Sequence, residues 1–416
     1  MSNLAPVCER LIEKHIRYLT EDIGVRLAGS PAESAAADYV KDTFWALGIE
    51  ATIETFPVRE RAVEKESLEI RFGDLWRPFP CSLFSNTPGT GGETVEAPLV
   101  FFESPAEYQR NDLSYLHGKA VVHLGCHIES RESYQRLMEA EPAFLLFIDI
   151  RYPGTVPLAD GMFPAYTRAL GARPTVNVAY MDAWCWKSEG ALAARLNVAG
   201  GMRESESQNV VAELPGSDPA AGTIILGGHH DTQAGSVGAD DNASGVAAII
   251  EAARVLSPLP SKRTLRFISF GAEEQLSVGS AEYVRRHRTE LAERGTFMAN
   301  FDSFGSHMGW TELNCVGPEA MSDFLLPFLE KADLYVKTTP EVIPYTDLFP
   351  FVAAGVPGIY IGRSNCVGGR FFHHRSDDDL TRLSCPYMAR MVAAIAGVTH
   401  DLANTDVLPF ASEIPA

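Results

Sequence analysis

The sequence has no run approaching the ~20 consecutive apolar residues that a membrane-spanning helix needs, so a membrane partner is not expected. Positive charge is scarce: 35 Lys and Arg stand against 54 Asp and Glu, a formal net charge of -19. Nucleic acid and anionic membrane both select clustered Lys and Arg, so neither is expected as a partner. Most of the acidity reads as solvated surface. Cysteine is sparse and unpatterned. The seven lie at 8, 81, 126, 185, 315, 366 and 385, with no Cys-x-x-Cys pair. An odd, scattered set suits reduced thiols in a cytosolic protein, not a disulfide framework or a structural zinc knot. The first twenty residues are interrupted by Glu9, Lys14, His15 and Arg17. They contain no continuous apolar core of a secretory signal, and a cytoplasmic location is expected. There is no internal repeat or low-complexity tract.

What is present is enough for more than one core. A chain of 416 residues predicts two domains or one domain with an insertion. Leu11, His15, Ile16 and Leu19 have helical spacing. Ser30-Pro31 with Glu33 reads as a helix start with a capping box, ending near Gly48, and Ile49 to Val58 reads as a strand. Residues 65–204 differ in texture, with Pro and Gly punctuation and short strand-like runs such as Ala120–Leu124 and Phe144–Ile148. They predict an inserted β-rich α+β module, left through a polar linker at 203–208. From 205 to 416 strands and helices alternate, which predicts an α/β fold with a mostly parallel sheet between helices. The expected domains are therefore 1–64 and 205–416 as one unit, with 65–204 inserted.

The chemistry-bearing residues follow the strands of this last region. His229 and Asp231 come after the apolar run Thr223–Leu226, and Asp241 lies further along the same connection. Glu273 and Glu274 follow Phe270, Asp302 follows Phe301, and His373 and His374 come after the run ending near Gly362. Ligands in open α/β sheets collect beyond the carboxyl ends of the strands, so these separate positions are expected to converge. Imidazole with carboxylate is a donor set that zinc selects, although cobalt or manganese accepts similar ligands. Taken singly, His-x-Asp reads as a satisfied pair, Glu-Glu as a solvated helix start, and Asp377-Asp378-Asp379 as a helix N-terminal cluster. Jointly and in order, those readings become improbable.

With these residues in view, the chain resembles the family-28 di-zinc metallopeptidases. The resemblance rests on His229-x-Asp231, Gly238-Ala-Asp-Asp241-Asn-Ala-Ser-Gly245, Glu273-Glu274, Asn300-Phe-Asp302 and His374-Arg-Ser-Asp-Asp378-Asp-Leu380. It extends to Arg26-Leu-Ala-Gly-Ser-Pro31 and Asn209-Val-Val-Ala-Glu-Leu-Pro-Gly216, covering roughly two thirds of the chain. The middle module is similar to a protease-associated domain. The resemblance implies a zinc exopeptidase fold and two Zn2+ ions. His229, Asp241 and Asp302 would hold one ion, and Asp241, Glu274 and His374 the other, with Asp241 bridging. It implies Glu273 as general base and Asp231 as acceptor of a hydrogen bond from the His229 ring. Such a pair of ions lowers the pKa of a shared water and polarises the scissile carbonyl, and the base carries the proton to the leaving amine.

Three doublets require a choice. The motif spacing favours His229 over His230, Asp241 over Asp240, and His374, four residues before Asp378, over His373. Two stretches depart from the family pattern: Gln275-Leu-Ser-Val-Gly-Ser280 after the Glu pair, and Tyr345-Thr-Asp-Leu348-Phe, where Leu348 stands for a histidine. His15, His117, His123, His127, His287, His307 and His400 read as structural or exposed, and Trp184 and Trp186 as core. The expected activity is hydrolysis of a terminal peptide bond, first as an aminopeptidase on a peptide or dipeptide-like substrate. A carboxypeptidase or N-acyl amino acid hydrolase is the alternative, kept open by Arg363, Arg370 and Arg375. A non-catalytic binding protein of the same fold would lack a ligand or the base, and none is missing. A homo-oligomer stays open.

Overall fold

The computed structural model describes residues 4–410 apart from 126, 127, 129, 159 and 368. Cys126 and His127, read above as a thiol and a non-ligand, lie outside the described residues. The other six cysteines carry no disulfide. The chain divides into two compact units, Met1–Val58 with Ser205–Ala416, and Arg59–Glu204. The first boundary falls earlier than 64/65 because no loop marks it: one strand, Glu50–Phe72, runs through that point. The return crossing also differs from expectation. The polar stretch 203–208 is no linker but the middle of the strand Ala193–Leu214. Past Gly201 it holds no Pro or Gly to break an extended chain, and Ser207 and Asn209 are buried within it.

In the larger unit the main path of the sheet runs through seven strands, and the strand Glu50–Phe72 pairs with one of them, Ala193–Leu214, off that path. The seven are β1 (Ala193–Leu214, by its last residues), β2 (Thr223–His229), β3 (Thr264–Phe270), β4 (Gly295–Phe301), β5 (Trp310–Val316), β6 (Val336–Thr339) and β7 (Gly358–Ser364). The order is β6-β5-β7-β4-β2-β3-β1. β2 is parallel to β3 and β4, and β4 is parallel to β7. β1 is antiparallel to β3, and β5 to β7. Strands buried on both faces need apolar residues throughout. Accordingly Ile224 and Leu226 face one core, with Val246, Ile250, Met391 and Ile395, while Ile225 faces a second, with Ile268, Tyr283 and Phe351. The first core is covered by helices Glu9–Arg17, Pro31–Ala46, Ser244–Leu256, Glu319–Lys331 and Cys385–Asn404. The second is covered by Val278–Arg286 and Leu348–Ala353. Residues 278–294 form two helices, Val278–Arg286 and Arg288–Arg294, parted at His287.

The smaller unit has its own core. Val95–Phe102, Ala120–Leu124, Phe144–Ile148 and Thr175–Val178 run parallel in that order, with Ser82–Leu83 antiparallel at one edge. Helices Arg131–Glu139, Pro164–Leu170 and Tyr180–Glu189 belong to it. Trp186 is fully buried, but Trp184 is 61% exposed and stacks on Tyr180, so it is not a core residue. His123 is buried as read, stacked between Phe102 and Phe147.

Candidate metal centre

Parallel pairing of β3, β2, β4 and β7 brings four carboxyl-terminal strand ends to one edge. His229 is the last residue of β2. Glu273 and Glu274 lie just past β3, Asp302 just past β4, and His373 and His374 in the connection after β7. Asp241 reaches the same edge from the segment 239–243, where it and Asn242 leave helical geometry before the helix Ser244–Leu256 begins. The Gly228 and Gly245 positions must lack side chains here. A Cβ on Gly245 would strike the Phe301 carbonyl and the Asn242 amide, and one on Gly228 would lie 2.9 Å from the same carbonyl.

Among the described residues two groups of potential donors lie close enough to share an ion. They are His229 with Asp241 and Asp302, and Asp241 with His373 and His374. His229 Nε2 is 3.2 Å from Asp241 Oδ1, 3.7 Å from Asp302 Oδ1 and 3.8 Å from Glu273 Oε2. His374 Nε2 is 2.8 Å from Glu274 Oε2 and 3.7 Å from Asp241 Oδ2. Asp241 thus faces both imidazole groups, one with each oxygen. His373 also touches it, with Nδ1 3.1 Å from Oδ2. The two histidine rings stack at 3.4 Å. Only His374 meets a second carboxylate of the pair, and its positive φ of 56° directs it inward from a tight turn.

The residues beside the donors explain the doublets. His230 turns away, its Nδ1 2.9 Å from Ser269 Oγ. Asp240 accepts from the Gly305 amide at 2.8 Å. Asp378 receives the amides of Asp240 and Asp241 at 2.9 and 3.1 Å, fixing the backbone that carries the Asp241 carboxylate. Asp231 does more than its expected role. The His229 Nδ1 contact at 3.2 Å is to the Asp231 main-chain carbonyl, and the carboxylate is 3.5 Å away. The two carboxylate oxygens instead accept the amides of Glu273 and Glu274, at 3.0 and 3.1 Å. Asp231 therefore positions the acid pair as well as the imidazole.

Two further residues hold these loops, and neither role was visible in the sequence. The guanidinium of fully buried Arg26 donates to the carbonyls of His230, Leu19, Gly24, Val237 and Gly238, tying down the loop between His229 and Asp241. Glu33 was expected only to close a capping box. Ser30 does accept the Glu33 amide, but the Glu33 carboxylate takes Gly29 N, Ser207 Oγ and Ala272 N, the last just ahead of Glu273. In the polypeptide alone, burial pushes Glu273 well above the usual carboxyl range, against the pull of His229. Burial also raises Glu274. Asp241 is held well below its ordinary value despite burial, chiefly by Arg370 and His229. His229 is raised well above its ordinary value despite burial, by Glu273, Asp231, Asp241 and Asp302. Its Nε2 and Glu274 Oε1 are buried without a hydrogen-bond partner. Buried donors left in this way, on imidazole and carboxylate, fit divalent zinc-like ions.

The α/β sheet thus carries, across four strand ends, a carboxylate–imidazole cluster that could hold metal ions. Residues 209–399 match the model of Peptidase family M28. The chain is 26% identical over 293 residues to Aminopeptidase YwaD of Bacillus subtilis, covering 70% of this chain and 61% of that one. It is 29% identical over 213 residues to Carboxypeptidase Q of Rattus norvegicus, covering 49% and 43%. The matches thus span less than two thirds of the length of these relatives. The fold is that of the crystallised zinc aminopeptidase BSAP of Bacillus subtilis, with a TM-score of 0.80 at 20% identity over 98% of both chains.

No helix of the described residues is long and apolar enough to cross a membrane.

Proposed function

We propose that the protein is a two-zinc exopeptidase that hydrolyses a terminal peptide bond, acting as an aminopeptidase. The observation that carries this reading is the convergence of His229, Asp241, Glu273, Glu274, Asp302 and His374 on one sheet edge. His229, Asp241 and Asp302 would hold one ion, and Asp241, Glu274 and His374 the second. Two such ions, when bound, lower the pKa of water and polarise a carbonyl. Cobalt or manganese would suit the same donors.

The polypeptide supplies the rest. Glu273 is buried and coordinates neither ion in this assignment. Ser277 Oγ lies 3.2 Å from its Oε1, and its amide is pinned to Asp231. It is placed to take a proton from water and return it to the leaving amine. Asp347, buried close enough to raise Glu273, is an acid left outside the ligand set. An acid of that kind favours a substrate that brings an ammonium to the site. A carboxypeptidase or N-acyl amino acid hydrolase is the second reading, supported by an arginine, Arg370, inside the cluster.

The test is Glu273→Gln in zinc-loaded protein, assayed on free, N-acylated and C-amidated dipeptides. Turnover is expected to fall by roughly 10²–10⁴ with zinc content unchanged. Undiminished turnover would remove Glu273 from the mechanism. Hydrolysis of N-acylated peptides alone would replace the aminopeptidase reading with the second one.

A further inference from the structure

A serine directly ahead of a helix ordinarily caps it, its hydroxyl oxygen accepting an amide of the first turn. Ser277 stands at that position before the helix Val278–Arg286, yet its side chain makes no capping hydrogen bond. The reason is local geometry. Leu276 and Ser277 are both left-handed, with φ of 70° and 56°, whereas a capping residue is normally extended. The chain therefore folds back on itself. The Ser277 amide donates to the Glu273 carbonyl at 2.7 Å, and the Val278 amide to the Ala272 carbonyl at 3.1 Å. That turn carries the Ser277 hydroxyl over Glu273, with Oγ 3.2 Å from Oε1. Both side chains are buried.

Left-handed backbone costs a non-glycine residue free energy, and it persists where the surrounding structure holds it. The stretch is also one of the two in which this chain departs from the pattern of the family it resembles. The hydroxyl serves neither the helix nor solvent. Its partner is the acid assigned as base, and the bond divides the two oxygens of that acid. Oε1 is occupied by the serine. Oε2 lies 3.8 Å from His229 Nε2 and so faces the donor cluster. A carboxylate held at one oxygen keeps the other in a fixed direction, and proton transfer over hydrogen-bond distance requires that.

We propose that Ser277 is a positioning residue for Glu273: its hydroxyl holds Oε1, so that Oε2 is the oxygen that takes the proton from water and returns it to the leaving nitrogen. This rests on the exopeptidase reading above. The proton travels on Oε2, so the hydroxyl keeps donating to Oε1 before and after the transfer. Removing it therefore acts on turnover, not on the binding of substrate or zinc.

The zinc-loaded full chain is compared with Ser277→Ala, Ser277→Gly, Glu273→Gln and the double variant Glu273→Gln with Ser277→Ala, on free, N-acetylated and C-amidated leucyl-leucine. Ser277→Ala and Ser277→Gly should each lose roughly tenfold or more in kcat. KM should stay within about twofold of wild type, with zinc content unchanged. Glycine suits a φ of 56°, so Ser277→Gly should melt no lower than Ser277→Ala and yet lose as much turnover. With the base already removed the serine should no longer matter: in the Glu273→Gln background Ser277→Ala should change the residual kcat by less than about twofold. Wild-type kcat in both single Ser277 variants overturns the proposal and leaves the exopeptidase reading standing. So does a loss that follows melting temperature, a loss confined to KM or to zinc content, or an equal loss in the Glu273→Gln background. No hydrolysis of any of the three substrates by zinc-loaded wild type removes the exopeptidase reading and the role of Ser277 together.

Discussion

Replacing Asp231 with Asn tests how the centre is held. Asp231 is fully buried, and its two oxygens accept the Glu273 and Glu274 amides at 3.0 and 3.1 Å. Asparagine keeps the shape and one oxygen. In either orientation its NH2 group faces one of those amides, donor against donor. One hydrogen bond to a charged acceptor is lost, about 1.5–3 kcal/mol, and a buried N–H is left unpaired, about 1–3 kcal/mol. Removing a negative charge from a crowd of acids offsets part of this, roughly 1 kcal/mol by the usual scale of such couplings. The net expectation is a loss of about 2–4 kcal/mol in the metal-free protein. The displaced amides belong to Glu273 and Glu274, the proposed base and a proposed ligand, so zinc affinity should also fall roughly 10–100-fold, as for other groups that orient metal ligands. Urea unfolding of chelated protein and calorimetric zinc titration measure the two quantities. A variant within about 1 kcal/mol of wild type in stability, with zinc affinity unchanged, would refute the reasoning.

Further outcomes are expected. His374→Ala should lose zinc by elemental analysis whereas His373→Ala should retain it, since only His374 reaches both Glu274 and Asp241; equal loss would make His373 a ligand. Arg26→Lys should destabilise the protein severely, by more than about 4 kcal/mol, because an ammonium cannot serve five carbonyls at once; mild thermal destabilisation would count against the anchoring role. Zinc binding should release protons and strengthen as pH rises, because His229 is held protonated by the surrounding acids and must be neutral to ligate; titration in buffers of different ionisation enthalpy reads this directly. Burial lowers His123 to about 4. Its contribution is therefore fully present above the unfolded histidine pKa near 6.5 and is lost as pH falls toward 4, at most about 3 kcal/mol. The gap in urea stability between pH 7 and pH 5 should narrow in His123→Phe.

The alternation of strand and helix after residue 205 was legible because β2, β3 and β4 are short, mostly apolar runs, with Arg266 the one charged side chain of Lys, Arg, Asp or Glu type inside them. The donor residues were legible for a related reason: a parallel sheet delivers whatever follows each strand to one edge. The polar strand through 203–208 was not legible, because its pairing comes from partners far away in sequence and not from its own hydrophobicity.

By itself, then, the amino-acid sequence determined the fold class, the acidic and imidazole donors, and the order in which strands present them, since these follow from local apolar pattern and chain connectivity. Tertiary structure alone decided which oxygen meets which nitrogen. It gave Asp231 to two amides ahead of an imidazole, made Arg26 and Glu33 the anchors of the loops, and set Arg370 between two carboxylates. Each of those partnerships joins residues distant in the chain, where hydrogen-bond geometry and burial act only after the sheet has brought them together.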